Sequence, residues 1–212
     1  MRRNAHDAAR LLWTCRQSGT VIDALPAALR LRDTIAGHAI QAALPDVANR
    51  PVVGWKIAAT SAAGQAHIQV DGPLPGRILD SFVQPIGTTL SLAGNRMRVV
   101  EPEFAFRTGA PLPPRSTTYA ADEVLEAVTS LHPAFEVPDS RFADFARAGK
   151  AQLIADDAAV ADSPLVPLRR QRGARSILRR TGYMRPSAAQ MAACATRARA
   201  KGARCSASRL PR

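Results

Sequence analysis

The chain has 212 residues and a mass of 22.6 kDa, with 29 lysines and arginines, 17 acidic residues and a formal net charge of +12. Its hydrophobic content of 46% is enough to bury a core, which excludes globally disordered, collagen-like and disulfide-scaffold proteins. Residues 1–162 carry 16 basic and 17 acidic side chains, whereas residues 163–212 carry 13 basic and no acidic ones. The sequence therefore predicts a near-neutral globular body followed by an Arg-rich tail.

Three cysteines and one short apolar stretch bear on the cell compartment. Cys15, Cys194 and Cys205 form no CxxC pair and no metal-ligand spacing, so we expect reduced thiols. The apolar stretch after the N-terminal arginines is too short and too interrupted for a secretory signal. No apolar run approaches the roughly 18 residues of a membrane span. These features predict a cytoplasmic protein that contacts no membrane.

Residues 1–50 have the spacing of helices. Apolar residues recur at helical intervals between a possible cap at Asn4 and a stop at Gly19. A second helix is predicted from a cap at Asp33 to Pro45, which should end it. We expect an N-terminal helical layer that packs against the rest of the fold and carries no chemistry of its own.

From residue 51 the pattern changes to short apolar runs separated by glycine and proline. The predicted regular segments are strands at 52–59, 97–106 and 134–137 and a helix at 121–130. Residues 70–77 contain two glycines and two prolines, which predicts an irregular connecting loop or lid. Residues 51–162 should therefore form a body of mixed α and β structure.

The segment around Glu101 and Glu103 is the most informative for chemistry. Side chains two residues apart on a strand point to the same face, so these two carboxylates should lie side by side. Glu136 sits in another apolar run, where an unpaired charge would be costly. Three carboxylates on neighbouring strands could form an open site for a hard divalent cation such as Mg²⁺. A bare pair of glutamates is more often the solvated face of an ordinary strand, and on the residues alone that alternative stays open.

Lys56 presents the same question with the opposite charge. It is one of three lysines in the chain and lies within the apolar run that begins at Val52. Burial would make the lysine lose its proton more easily, which would suit it to acid-base chemistry in a cleft. The alternative is a lysine that extends its ammonium to solvent from a strand edge. His38 and His132 stand alone beside apolar residues and are weaker candidates.

Four motifs occur in an order that resembles a known family. They are Gly54-Trp55-Lys56-Ile57, Val70-Asp71-Gly72-Pro73, Glu101-Pro102-Glu103-Phe104-Ala105-Phe106 and Pro133-Ala134-Phe135-Glu136-Val137-Pro138-Asp139-Ser140-Arg141. The set is similar to that of the 2-keto-4-pentenoate hydratases of the fumarylacetoacetate hydrolase superfamily. The resemblance covers about residues 5–160 and is much more specific than the glutamate pair alone.

The resemblance implies an α+β fold, in which a mixed β-roll of the fumarylacetoacetate hydrolase C-terminal-domain type follows the N-terminal helices. The residues that it implies for the site are Glu101, Glu103 and Glu136 as ligands of Mg²⁺ or Mn²⁺, Lys56 as the acid-base residue and Asp71 over the pocket. The implied substrate is a 2-hydroxy-2,4-dienoate, to which water is added to give a 4-hydroxy-2-oxo acid in the catabolism of aromatic compounds. The family also suggests a homo-oligomer or a paralogous partner subunit.

The motifs are shared with two other activities on the same scaffold, decarboxylation of 4-oxalocrotonate and hydrolysis of acylpyruvates. The chain also departs from the family pattern, with Asp157 where Asn is usual and Ala159 where a small polar residue is usual. The acid-free residues 163–212 stand where the family has Gly-rich strands that complete the roll. We therefore expect a truncated or frameshifted C-terminal part, an incomplete roll and a disordered tail, which leaves the activity of this chain open.

An alternative hypothesis is that the chain is not an enzyme but a non-catalytic binding protein, or an accessory subunit, with a cationic tail. The tail has no interleaved aromatic residues, zinc-ligand spacing or helix-turn-helix pattern, so we expect no specific nucleic-acid site. Binding through such a tail would weaken steeply as the salt concentration rises, whereas an enzyme would depend on the three glutamates.

Overall fold

The structure is a computed structural model that describes residues 2–85, residues 87–160 and the backbone of residues 204–208. The helices in this part of the chain are α1 (Arg2–Ser18), α2 (Thr34–Ala48), α3 (Ala62–His67), α4 (Ala121–Ala127) and α5 (Lys150–Ala155). The strands are β1 (Val52–Ala58), β2 (Leu74–Leu79), β3 (Glu101–Thr108), β4 (Val128–Glu136) and β5 (Arg204–Ser208). The mixture of α and β structure agrees with the predicted fold class.

Helices α1 and α2 lie within the residues for which the sequence predicts helices, and they pack together. Ala8 and Leu12 of α1 and Ile40 of α2 lie in one buried apolar cluster. The carboxylate of Asp33 accepts a hydrogen bond from the backbone N–H of Ala36 at 2.8 Å, which confirms the predicted N-cap.

The predicted end of α2 at Pro45 is wrong, because the helix continues to Ala48 and is capped by Asn49. A proline inside a helix removes one backbone hydrogen bond, and packing has to offset that loss. Leu44 before the proline and Ala48 after it both contact the same apolar cluster, which holds the last turn in place. Asn49 then ends the helix in a left-handed conformation, with φ of 51°.

The described strands form one mixed sheet in the order β2-β1-β5-β3-β4. β1 is antiparallel to β2 and parallel to β5, while β3 is antiparallel to both β4 and β5. β1 agrees with the strand predicted at 52–59. β3 begins later than predicted, and β4 begins inside the predicted helix 121–130, because Val128 to Ser130 pair with β3 instead of continuing α4.

Strand β2 lies in a segment for which the sequence predicts a loop, so that prediction is wrong from Leu74 onward. Pro75 is tolerated because β2 is at the edge of the sheet and needs ladder hydrogen bonds on one side only. Leu74, Ile78 and Leu79 are buried, and their removal from water favours the strand over an open loop.

Most of the Arg-rich segment 163–212 lies outside the described residues, and so do its predicted disorder and the predicted truncation or frameshift. Residues 204–208 are described as backbone, and they form β5 between β1 and β3. The sequence does not predict this strand. None of the helices described above is both long and apolar enough to cross a membrane.

Candidate metal centre and acid-base pair

Two neighbouring strands bring three carboxylates to one face of the sheet. The antiparallel register of β3 and β4 places Glu101 opposite Glu136, and Glu103 opposite Ala134. Directly opposite residues share a face, as do residues two apart on one strand, so all three glutamates point the same way. One oxygen from each carboxylate lies within 4.8 Å of the other two. The structure therefore brings the three predicted ligands together.

The opposite face of β3 and β4 is apolar, which fixes the orientation of the glutamates. Phe104 and Phe106 of β3 pack with Leu131 of β4 and with Leu125 of α4. A shift of the strand register by one residue would expose these rings and bury the charges on the wrong side. The alternation of the sequence thus holds Glu101 and Glu103 on the face away from α4.

Without a cation, burial makes it energetically costly to ionise the three carboxyl groups of this cluster. Glu103 and Glu136 are each 5% exposed, and Glu101 is half-buried. Desolvation and the nearby Glu136 carboxylate raise the pKa of Glu103 to about 9, although the positive charge of Lys56 opposes this shift. Desolvation also raises the pKa of Glu101. A bound cation would reverse both shifts, because it stabilises the ionised carboxylates.

The donors present fit a hard divalent cation. Mg²⁺ and Mn²⁺ favour oxygen ligands, and each of the three glutamates offers a carboxylate oxygen. The Oε2 atom of Glu103 is buried and has no hydrogen-bond partner among residues of the described ranges. Buried polar atoms in folded proteins are nearly always satisfied, and a cation would satisfy this one.

Lys56 reaches the cluster from β1. Its Nζ lies 2.8 Å from Oε1 of Glu136, and the two side chains are each 6% exposed. A lysine that extends to solvent is therefore excluded. Burial by itself would lower the pKa of Lys56, but Glu136, with smaller contributions from Glu101 and Glu103, outweighs burial and raises it. The expectation of a lysine that loses its proton easily is wrong here, because burial comes together with a carboxylate partner.

The contact between Lys56 and Glu136 requires a curved sheet. β1 and β4 are separated by β5 and β3, which corresponds to about 14 Å in a flat sheet. Side chains stand roughly perpendicular to a sheet, so these two reach 2.8 Å only if the sheet bends toward the face that carries them. The acid-base candidate and the carboxylates thus face each other across a concave surface.

Asp71 is placed differently from the other predicted site residues. Its carboxylate accepts a hydrogen bond from Nζ of Lys150, and 83% of its side chain is exposed. This hydrogen bond lowers the pKa of Asp71, with a further contribution from the charge of Lys150. Asp71 precedes β2 and does not join the glutamate cluster, so its position over a pocket stays a prediction.

Two features of this region go beyond the sequence-based prediction. Asp157 is fully buried, and desolvation raises the pKa of its carboxyl group to about 7. Ser130 and His132 lie on the same face of β4 as Glu136, with 2.8 Å between the Ser130 hydroxyl oxygen and Nε2 of His132. The period of two from Ser130 to Glu136 could have placed His132 on this face from the sequence. For Asp157, the only signal in the sequence is that the similar family usually has Asn at this position.

Comparisons with known proteins support the resemblance. No protein-family model matches the chain. The chain is 33% identical over 143 residues to the 2-keto-4-pentenoate hydratase of Paraburkholderia xenovorans (strain LB400) and to 2-keto-4-pentenoate hydratase 3 of Pseudomonas putida. Each match covers 66% of this chain and 52% of the relative, so the chain spans about half the length of the curated relatives that it matches. Over this region the chain is a relative of the hydratases, which confirms the resemblance read from the four motifs.

Solved structures give the same result for the fold. A 4-oxalocrotonate decarboxylase from Pseudomonas putida G7, complexed with magnesium and adipate, superposes with a TM-score of 0.70 at 21% identity, over 81% of this chain and 65% of that chain. A form complexed with calcium and acetate gives 0.67 at 20% identity, over 81% and 64%. At these identities the likeness shows the fold alone, a mixed α and β fold similar to that of the decarboxylase.

Proposed function

We propose that this relative of the 2-keto-4-pentenoate hydratases carries a metal-dependent site that adds water to a 2-hydroxy-2,4-dienoate. The product would be a 4-hydroxy-2-oxo acid, formed in the catabolism of aromatic compounds. The observation that carries the proposal is the cluster of Glu101, Glu103 and Glu136, in which three carboxylate oxygens lie within 4.8 Å and Lys56 contacts one carboxylate. Sequence identity to the curated hydratases supports the same substrate class.

The three glutamates would hold Mg²⁺ or Mn²⁺ with the carboxylate oxygens that face one another. Magnesium or calcium is present in the two structural neighbours, which supports a divalent cation here. When bound, such a cation supplies Lewis-acid stabilisation of the negative charge that develops on the 2-oxygen of the substrate. The glutamates would leave positions for the substrate, because three ligands do not complete a shell of six.

Lys56 would enter the reaction protonated, because its pKa is raised by its carboxylate neighbours. Its ammonium would donate a proton to C5 of the dienol, and the resulting neutral amine would accept the proton that the 2-hydroxyl loses, which converts the substrate to the 2-oxo-3-ene and restores the ammonium. Water would then add across C3 and C4. Glu136 would hold the ammonium in place at 2.8 Å between transfers.

The remaining parts of the proposal concern the pocket and the assembly. Asp71 would cover the pocket from the segment before β2. A complete β-roll, a homo-oligomer or a paralogous partner, and a cytoplasmic location would follow from the same relationship. The catalytic unit would comprise residues 51–162, with residues 1–50 as its helical support and the remainder as a cationic tail.

The test is an absorbance assay on the metal-stripped chain. The ultraviolet absorbance of a 2-hydroxy-2,4-dienoate should fall only after Mg²⁺ or Mn²⁺ is added, and NMR should identify the 4-hydroxy-2-oxo acid. Glu103→Ala should abolish turnover, whereas Glu126→Gln on the exposed side of α4 should preserve it. Turnover without a metal, or turnover that survives Glu103→Ala, would contradict the proposed chemistry.

A second candidate is decarboxylation of 4-oxalocrotonate on the same site. A solved structural neighbour is a 4-oxalocrotonate decarboxylase, which is the reason to test this activity beside hydration, although the shared fold by itself does not choose between activities. The same preparation can be given 4-oxalocrotonate, and release of CO₂ can be measured. CO₂ release without hydration of the dienoate would assign the chain to the decarboxylases, and the role of the glutamates would be unchanged.

A further inference from the structure

A turn that follows helix α5 has a backbone conformation that requires an explanation. Asp157, Ala158 and Ala159 have φ angles of 58°, 55° and 59°. Residues with a Cβ atom rarely adopt this left-handed conformation, and when they do they are usually isolated. Such a backbone persists only where its surroundings impose it, and it often occurs near functional sites. The contacts of the turn identify those surroundings.

On one side the turn binds the edge strand β2. Oδ1 of Asp157 accepts a hydrogen bond from the backbone N–H of Arg77 at 2.6 Å. The next residue back, Gly76, lies directly opposite Lys56 in the pairing of β1 with β2. A Cβ placed on Gly76 would lie 2.5 Å from the Asp157 carbonyl oxygen and 3.0 Å from Cγ of Lys56. The turn and the lysine stem therefore meet over a glycine that has room for no side chain.

On its other side the turn binds the segment that leaves β4. The backbone N–H of Asp139, three residues after Glu136, donates to the carbonyl oxygen of Ala159 at 3.1 Å. The preceding carboxylate, that of Asp156, accepts hydrogen bonds from the Ser140 hydroxyl at 2.7 Å and from a backbone N–H at 2.8 Å. Residues 156–159 are thus bonded both to the edge of the sheet beside Lys56 and to the exit of the strand that carries Glu136.

We propose that Asp157 is a positioning residue and that the left-handed turn 157–159 clamps Lys56 and Glu136 together across the curved sheet. The two side chains start from strands that are not neighbours, and the turn is bonded to the backbone on both sides of them. A left-handed backbone suits this role, because such a conformation persists only when its surroundings impose it. Here the surroundings are β2 beside Lys56 and the segment after β4 beside Glu136. The inference deepens the proposed function and rests on it where turnover is the measurement.

The first test compares two variants of Asp157. Asp157→Ala removes the acceptor for the Arg77 N–H, whereas Asp157→Asn keeps an oxygen at that place and removes only the charge. Asp157→Ala should lower kcat about tenfold or more, because a small displacement of an acid-base group slows proton transfer. The KM should stay within about twofold of the parent, since the bond from Ala159 to Asp139 on the Glu136 side of the turn is kept. Asp157→Asn should restore most of the kcat.

The second test reads Lys56 directly and needs no substrate. The chain has three lysines, so incorporation of ¹³C-lysine gives few signals, and Lys56→Arg identifies the one that belongs to Lys56. In the metal-free protein at pH 5, where the Asp157 carboxyl group with its pKa of about 7 is already protonated, Asp157→Ala should shift or broaden the Lys56 signal, while Asp157→Asn leaves it unchanged. The Lys150 signal is the control, because that lysine pairs with Asp71 at the surface. This outcome holds whether or not the chain proves to be a hydratase.

A third measurement covers the case in which Asp157→Ala does not fold. In the unmodified chain, the amide protons of Arg77 and Asp139 should exchange with solvent as slowly as those in the centre of β1. Fast exchange of either amide would overturn the clamp. A parental kcat and an unshifted Lys56 signal in Asp157→Ala would overturn it as well. If Asp157→Asn lowers kcat as much as Asp157→Ala does, the hydrogen bond from the Arg77 N–H does not position Lys56, and the proposal is wrong.

Discussion

Replacing Glu103 with Gln should have opposite effects on the protein with and without metal. In the metal-free chain Glu103 has a pKa raised from 4.5 to about 9, because it is buried beside another carboxylate. The folded state therefore keeps a proton that the unfolded state releases above pH 4.5. Stability is lost as the pH rises from 4.5 toward 9. At pH 7.5 the difference is about three pH units, or about 4 kcal/mol.

Glutamine does not ionise, so Glu103→Gln should recover much of this free energy at pH 7.5. For a chain of this size about 4 kcal/mol corresponds to roughly 10 °C in Tm, so a rise of several degrees is expected without metal. The same variant loses a charged ligand. The parent should gain about 2.7 kcal/mol when Mg²⁺ is 100 times its Kd, and the variant should gain far less at the same concentration.

The assay is thermal unfolding at pH 5 and pH 7.5, with a chelator and with a series of Mg²⁺ concentrations. At pH 5 the difference between the metal-free variant and the parent should shrink to about 1 kcal/mol, because this pH lies only about half a pH unit above the unfolded-state pKa of 4.5. Glu126→Gln, at an exposed position on α4, is the matched control and should follow the parent throughout. A metal-free Glu103→Gln protein that melts below the parent at pH 7.5 would refute the reasoning. An unchanged response to Mg²⁺ would do so as well.

Replacing Lys56 with Met should destabilise the metal-free chain by about 3–5 kcal/mol in urea unfolding, because the Glu136 carboxylate stays buried and loses the lysine ammonium that pairs with it. Lys150→Met, at a half-buried lysine whose partner Asp71 is exposed, should cost much less, and equal losses for the two would contradict the role of burial. Replacing Gln41 with Leu should cost about 1–3 kcal/mol, since its amide donates to two buried backbone carbonyls; an unchanged urea midpoint would argue against those bonds. The raised pKa of Asp157, about 7 against 3.8, should lower the unfolding free energy by up to about 4 kcal/mol as the pH rises from about 4 to 7. Asp157→Asn should flatten that part of the pH profile relative to the parent, and parallel profiles would count against a buried carboxyl group.

Local alternation is enough to orient the glutamates. Phe104 and Phe106 alternate with Glu101 and Glu103, and a strand of period two must place these pairs on opposite faces. The structure has this arrangement, with the rings against α4 and the carboxylates on the other side. The start of helix α2 is also predictable from the sequence, because the N-cap at Asp33 depends only on neighbouring residues. The end of α2 is not, because it is set by the packing of Leu44 and Ala48.

Ionisation states were less accessible to the sequence than residue positions. A buried lysine alone should lose its proton readily, but Lys56 contacts a carboxylate from a strand 80 residues later in the chain, and its pKa rises. Whether burial or a partner controls a pKa depends on distances of a few ångströms. The pKa of Asp71 is likewise set by a partner that the sequence does not reveal. The family resemblance implies a position over a pocket, and the structure shows a pairing with Lys150 that lowers the pKa.

The sequence by itself determined which residues could bind a cation and which strand faces they occupy, because side-chain alternation is a property of the local backbone. The tertiary structure decided that Lys56 meets Glu136, that β5 lies between β1 and β3, and that the turn at Asp157 is bonded to both β2 and the exit of β4. These relations join segments that are far apart in the chain. They depend on the curvature of the sheet and on which surfaces are buried together, and no local pattern encodes either.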